Sequence, residues 1–348
     1  MKRNIERVNI LDLVRNTDEK LCIMYHKDMD GLIGAAQIMH FIKYYTDQNL
    51  EDVSFIGCQY KEDYISLLPN GQKDIIFIDF SPTREEAEDL LKQGHNVIVI
   101  DHHIGAFIKL DGLENMFLNY FYWFNNEKAG CGLANEIFIA GTGREELDFD
   151  RMTIISAYAE DRDLWKFELP NSKEINAGLL ELFNDRAMVW TDVAGMWRLL
   201  NDPIEHNDEW YNPDSEEFMD LILALGRNKI EYDVKYVQKF FKLAEKKKLP
   251  LIKIGGVEMY CFNNANLISE VGNKLTELNY PSCQYFIVHE YDKNGVLQTP
   301  KVVLSFRSTD ELPDVRLVAV QLGGNGHRNA CGAELRLEAL PALLSGQL

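Results

Sequence analysis

Ile98-Val99-Ile100-Asp101-His102-His103 is the stretch from which the fold of this chain can be read. A short β-branched apolar run predicts a buried strand. It stops at a carboxylate and two adjacent imidazoles, with Gly105 close behind. Such groups are costly to keep dry without partners. The carboxyl ends of strands are also where open α/β sheets place their ligands. Three residues are a short motif, so their weight depends on matching groups elsewhere.

The same pattern occurs twice upstream. Leu21-Cys22-Ile23-Met24-Tyr25 reads as a buried strand running into His26-Lys27-Asp28-Met29-Asp30-Gly31, before an apolar helical pattern from Leu32 to Tyr45. In an extended loop His26, Asp28 and Asp30 point the same way. Carboxylate and imidazole ligands together suit a divalent cation. Capping of the helix by Asp28 or Asp30 is the competing reading, and both stay open. Val53 to Gln59 is a further strand candidate, and Asp74-Ile75-Ile76-Phe77-Ile78-Asp79 another, again ending in a carboxylate. Ser81-Pro82-Thr83 opens the next helix, with Ser81 as the expected cap, and Gly94 closes it. Strand, helix and strand in succession predict a parallel, right-handed crossover.

Phe117 to Phe124 predicts a strand and a loop, Leu133 to Ala140 a helix, and Met152 to Ala159 another. The last runs into Glu160-Asp161-Arg162-Asp163, although a helix C-terminus repels anions. That misfit points to an external cation, or to a surface turn paired with Arg162. Residues 171 to 249 are helical and acidic until Lys242 to Lys248, which reads as a solvated helix end. Beyond it, Ile252 to Phe262, Gln284 to Tyr291 and Val302 to Arg307 read as strands, with Lys293-Asn294-Gly295 as a hairpin turn. Helices are predicted over Leu267 to Leu278 and Val315 to Leu322. Gly323 to Gly332, which contains Gly324, Gly326 and His327, either offers backbone amides to an anion or is a plain turn.

With 348 residues, two domains are expected. The formal charge is −19, while residues 251–348 hold 8 Lys/Arg against 10 Asp/Glu, so nearly all the excess lies before them. Such an acidic chain is disfavoured as a binder of long duplexes, because phosphate contacts supply most non-specific affinity. Six scattered cysteines with no Cys-x-x-Cys pair fit reduced thiols. The first residues lack the apolar core of a signal peptide, and no run is long enough to span a membrane. A cytoplasmic location without membrane partners is the expectation.

The ordered set His26/Asp28/Asp30, Asp79, Asp101/His102/His103 and Asp161, followed by the glycine-histidine loop, resembles the DHH phosphoesterase superfamily with its C-terminal DHHA1 domain. The wording Tyr25 to Gly31 and Glu160 to Trp165 is most similar to the oligoribonuclease B or cyclic-nucleotide phosphodiesterase-like branch. The resemblance implies an α/β fold: a parallel-sheet DHH domain over 1–195, a helical linker over 196–250 and a smaller mixed α/β DHHA1 domain over 251–348. It implies two divalent cations, with Mn2+ expected and Co2+ or Mg2+ as alternatives. Asp79 would bridge them. His26 and Asp28 would hold one, and Asp30, His102 and Asp161 the other. Asp101 would orient His102, and His103 would face the scissile phosphate.

Asp161 is preferred to Asp163 because Asp161, Trp165 and Phe167 fit the family's Asp-Thr-Gly-x-Phe-x-Phe spacing, although Arg162-Asp163 replaces Thr-Gly and leaves a contribution from Asp163 open. His26 and Asp28 are two residues apart where several relatives have four. In the second domain Ser305-Phe306-Arg307-Ser308 matches the DHHA1 pattern. Arg307 would clamp a terminal phosphate, with Gly324, Gly326 and His327 beside it. The implied activity is hydrolysis of short RNA or linear dinucleotides to 5′-mononucleotides by water acting at two cations. A cyclic (di)nucleotide, a phosphoadenosine-phosphate type monoester, or non-catalytic nucleotide binding are the rivals. Tyr120, Phe121, Tyr122 and Trp165 stack bases or pack the core. A homodimer is compatible with this reading.

Overall fold

The computed structural model describes residues 7–16, 20–60, 62–71, 74–142, 151–207, 209–211, 216–289, 296–326 and 328–348. They divide into two compact units, 1–229 and 230–348.

The first unit begins with α1 (Arg7–Asn16), β1 (Leu21–His26), α2 (Met29–Tyr45), β2 (Ser54–Cys58), β3 (Asp74–Ile78), α3 (Arg84–Lys92) and β4 (Asn96–Asp101). It continues through α4 (Ile104–Leu110), β5 (Tyr120–Phe124), α5 (Gly130–Ala134), α6 (Arg151–Asp163), α7 (Ser172–Asp185) and α8 (Val193–Asn201). A small hairpin follows, β6 (Ile204–His206) with β7 (Glu209–Tyr211), before the long helix α9 (Glu216–Glu245). The five larger strands form one parallel sheet in the order β2-β1-β3-β4-β5.

Both faces of this sheet are covered. Ile23, Tyr25, Ile76, Ile78, Ile98 and Ile100 point into a core shared with α2, α5 and α6. The alternate residues Cys22, Met24, Ile75, Phe77, Val97 and Val99 point into a second core closed by α3. Burial on both faces explains the unbroken apolar runs, since side chains alternate along a strand. The chain steps from β1 outward to β2, then returns to the other side of β1 as β3. This reversal creates a switch point at the carboxyl ends of β1 and β3, the place where such sheets leave a crevice.

The second unit contains the last part of α9, then β8 (Leu251–Ile254), β9 (Val257–Asn263), α10 (Ile268–Thr276), β10 (Ser282–Val288) and β11 (Lys301–Arg307). α11 (Val315–Gln321), β12 (Asn325–Gly326), β13 (Ala330–Arg336) and α12 (Leu340–Leu344) complete it. Its mixed sheet has the order β12-β13-β11-β10-β9-β8, with only the β9–β10 pair parallel.

Several expectations are corrected here. The single strand Ile252 to Phe262 is a hairpin, because Gly255 and Gly256 take positive φ of 54° and 85° between β8 and β9. The stretch 196–250 is not a separate helical linker. Met196, Leu199 and Leu200 are buried in the first unit's core, whereas Ala244 is buried in the second's. The cap of α3 is Thr83, in a capping box with Glu86, rather than Ser81. Lys293-Asn294-Gly295 lies outside the described residues.

Candidate metal centre

His26 ends β1, Asp79 follows β3 and Asp101 ends β4, so three neighbouring strands deliver their last polar residues to one edge of the sheet. Asp79 is 1% exposed and adopts φ 53°, a left-handed conformation that is rare for a residue with a side chain. Its amide is anchored on Ile100 O at 3.0 Å, which holds the turn across to β4. The two carboxylate oxygens of Asp79 then face in different directions. Oδ1 lies 3.0 Å from His102 Nε2, and Oδ2 lies 3.8 Å from His26 Nδ1.

Each imidazole has further acids. His26 Nδ1 is 2.6 Å from Asp28 Oδ2, and its Nε2 is 2.7 Å from Gln59 Oε1. Asp28 is ligand candidate and cap at once, since its Oδ1 accepts from Gly31 N at 3.0 Å at the start of α2. His102 Nε2 lies 3.7 Å from Asp30 and 3.6 Å from Asp163. Asp30 is 4% exposed and accepts the Gly130 and Cys131 amides at 2.8 and 2.7 Å, tying α2 to the start of α5. Gly130 permits this approach, because a Cβ there would lie 2.3 Å from Asp79 Cβ.

Two assignments differ from expectation. Asp161 does not face the cluster. Its oxygens accept the Glu168 and Leu169 amides at 2.9 and 3.3 Å, where it fixes the chain leaving α6. Asp163 faces His102 instead, because α6 continues to Asp163 and two residues of a helix point roughly 200° apart. Asp101, fully buried, accepts from the ring of His103 at 2.7 Å and not from that of His102. The backbone amides of His102 and His103 also donate to it at 2.7 and 3.1 Å, and Ser81 donates its hydroxyl. Gln59 and Ser81 were not singled out for this site in the sequence, and Asp163 was ranked behind Asp161. An acid two residues from the expected one was the available signal for Asp163, whereas Gln59 reaches His26 from just past the end of β2.

The electrostatics reflect crowding of negative charge. Burial, then the neighbouring charges of Asp30, Asp28 and Asp101, push the Asp79 carboxyl well above its usual range. Burial and Asp30 push Asp163 up to about 7. The hydrogen bond to Asp28 raises His26, and that to Asp101 raises His103. Burial dominates at His102 and lowers it, which favours the neutral imidazole. Burial works against the charge on Asp28, but His26 and the Gly31 amide hold its pKa below the ordinary value. Carboxylates this close need protons or cations to neutralise them. His26/Asp28/Asp79 and Asp30/His102/Asp163 each bring ligand atoms within 4.8 Å of one another, and Asp79 with Asp101, His102 and His103 forms an overlapping set. The donor chemistry fits divalent cations that accept oxygen and imidazole.

In the second unit, Arg307 ends β11. Its guanidinium donates to Ser305 Oγ and Phe306 O at 3.0 and 2.8 Å, and to Ser269 Oγ at 2.9 Å. Gly272 makes room for it, since a Cβ there would meet its Cγ at 2.6 Å. Among the described residues no carboxylate pairs with Arg307. Gly324 packs against the backbone of Gly332 and Ala333, and Gly326 pairs with Cys331 in the β12–β13 ladder. Their glycines therefore serve hairpin packing, while His327 lies outside the described residues.

Residues 20–160 match the DHH family, N-terminal domain. That segment is similar to the DHH family's N-terminal domain. The DHH match covers β1 to β5 and most of α6, so it ends just before Asp163. A mimivirus protein described as uncharacterized, from Acanthamoeba polyphaga mimivirus, is 25% identical over 338 residues, covering 93% of this chain and 70% of its own length. Among solved structures, the exonuclease RecJ bound to manganese has a TM-score of 0.53 at 16% identity, covering 98% of this chain and 92% of that one. RecJ of Thermus thermophilus in complex with Mn2+ gives 0.51 at 15%, covering 98% of this chain and 53% of its own. The likeness to both is one of fold. No helix among the described residues is long and apolar enough to cross a membrane.

Proposed function

We propose that the chain hydrolyses phosphodiester bonds of short oligoribonucleotides or linear dinucleotides, releasing 5′-mononucleotides. The observation that carries this reading is Asp79, whose two oxygens face two separate groups of ligand atoms. His26 and Asp28 would hold one divalent cation, Asp30, His102 and Asp163 the other, with Asp79 shared between them. The manganese held by the RecJ structures supports Mn2+ as the ion. When bound, a pair of such ions supplies an acidified water and neutralises the phosphate.

The chain's own groups are arranged around that chemistry. Asp101 fixes the ring of His103 through Nδ1, and the His103 side chain remains 44% exposed, so its other nitrogen can donate to a phosphate oxygen. No side chain near the cluster is a ready nucleophile among the described residues. Ser81 is committed to Asp101, and burial raises the Cys131 thiol well above its ordinary value. Water is therefore the reactant that attacks. Trp165, two residues after Asp163, is 77% exposed and braced edge-on by Phe167 at 4.9 Å, which suits stacking on a nucleobase. Tyr120 is buried, and Tyr122 stacks between Phe107 and Phe124, so these pack the sheet instead. Arg307, whose hydrogen bonds among the described residues all go to neutral acceptors, suits a terminal phosphate.

The test is a substrate panel in Mn2+: labelled di- to pentaribonucleotides, cyclic mono- and dinucleotides, phosphoadenosine phosphate and pyrophosphate. Turnover of the shortest linear ribonucleotides, lost in Asp79→Ala, is expected. Turnover confined to cyclic substrates or to pyrophosphate would refute the assignment.

A further inference from the structure

The lysine run near the end of α9 is not absorbed by the metal centre. α9 packs into the second unit through Tyr236, Val237, Phe240 and Ala244. On the opposite side, Lys235, Lys239, Lys242 and Lys246 fall within about a 60° arc at 3.6 residues per turn. They form a stripe roughly 16 Å long at 1.5 Å per residue. Together with Lys248 they line a groove of about 530 Å3, completed by Val234, Gln238 and Leu243. All five lysines are exposed. The lining holds five cations and no acid, in a chain with 55 Asp/Glu against 36 Lys/Arg. Lys235 is paired with Glu231 at 2.5 Å. Among the described residues Lys239, Lys242, Lys246 and Lys248 make no ion pair.

A favourable helix dipole does not account for the stripe. That effect is confined to the last turn, whereas Lys235 and Lys239 lie one and a half or more turns before Glu245. The groove also lacks an aromatic ring and a carboxylate. Its chemistry therefore favours evenly spaced point anions and offers nothing that reads a base edge. We propose that this face of α9 binds the phosphate backbone of a single-stranded nucleic acid, without sequence preference. Aliphatic lysine stems and Val234 line the floor, and the ammonium groups follow successive phosphates. The proposal stands apart from the phosphodiesterase reading, because binding is measured on metal-depleted protein that does not turn substrate over.

The experiment is fluorescence anisotropy of a labelled dT 12-mer with the full chain in EDTA. With four or five lysines engaged, affinity should fall roughly a hundredfold between 50 and 200 mM salt. The K239E/K242E/K246E variant should bind at least tenfold more weakly at 50 mM salt, and its log–log salt slope should flatten by about 2. The K239R/K242R/K246R variant should bind as the wild type does, which separates loss of charge from loss of fold. Inorganic polyphosphate of equal phosphate number should compete less well than unlabelled dT 12-mer. Unchanged affinity in the Glu variant would overturn the proposal. So would stronger competition by polyphosphate, or equal competition by polyglutamate or by anionic lipid vesicles.

Discussion

Asp161 and Asp163 differ by two positions and face different partners, the first the amides of Glu168 and Leu169, the second the ring of His102. Asp161→Asn removes a charged acceptor from two backbone amides, so it should cost about 1–3 kcal/mol of stability, measured by thermal unfolding, while leaving Mn2+ affinity within threefold in calorimetric titration. Asp163→Asn should show the reverse, with Mn2+ affinity reduced at least tenfold and an unchanged melting temperature in the absence of metal. Equal metal affinity in the two variants would remove Asp163 from the centre. Gln59 makes a second contrast. It accepts from Nε2 of His26 and leaves Nδ1 facing Asp28 and Asp79. Partners of this kind set the tautomer of a ligating histidine, and losing one typically weakens metal binding by about 10–100-fold. Gln59→Leu is expected to show that loss, and Gln59→Glu, which keeps the acceptor, should largely avoid it. His26, Asp79 and His102 were legible in the sequence because each follows a run whose burial is unmistakable. Asp163 was not, because the choice between 161 and 163 turns on whether the helix has already ended. Gln59 was not, because its contact spans 33 positions and has no local signature.

At the scale of elements, the parallel sheet was readable because burial on both faces leaves uninterrupted apolar runs with no alternation. Helix ends were less so. α6 runs four residues past Ala159, and its last turn keeps acids that a helix C-terminus disfavours, which places the cost at the candidate metal centre. The β8–β9 hairpin was lost in one long predicted strand although Gly255-Gly256 marks its turn. The short helix α5 has a role no propensity would reveal: its first two amides bind Asp30, and Gly130 lets it lie against Asp79. Gly130→Ala should therefore force Asp79 and α5 apart. An overpacked site of this kind costs about 1–3 kcal/mol. Both the melting temperature and Mn2+ affinity should fall, and a crystal structure of the variant should show Asp79 displaced. Unchanged affinity would mean that the shared carboxylate tolerates movement that the proposed metal centre does not allow.

For the whole molecule, the two units bury separate cores, and the candidate ligands all belong to the first. A ligand that binds only the folded form stabilises it by about 2.7 kcal/mol when its free concentration is a hundred times Kd. For a unit of this size that corresponds to roughly 5–10 °C in melting temperature. The first unit should gain more readily than most, since cations replace the protons that crowded carboxylates otherwise need. Differential scanning calorimetry of the full chain should then resolve a transition that rises with Mn2+ and falls again on chelation, beside one that metal leaves in place. Hydrogen exchange assigns them: amides of β1, β3 and β4 should gain protection with Mn2+, and those of β10, β11 and β13 should not. A single transition moving as one would show that the units unfold together. Protection gained equally in both sheets would show that the metal acts beyond the centre built on Asp79. An Mn2+-independent melting curve, with no added protection around His26, Asp79 and His102, would remove the metal from the fold altogether, and with it the chemical basis for placing hydrolysis at this edge of the sheet.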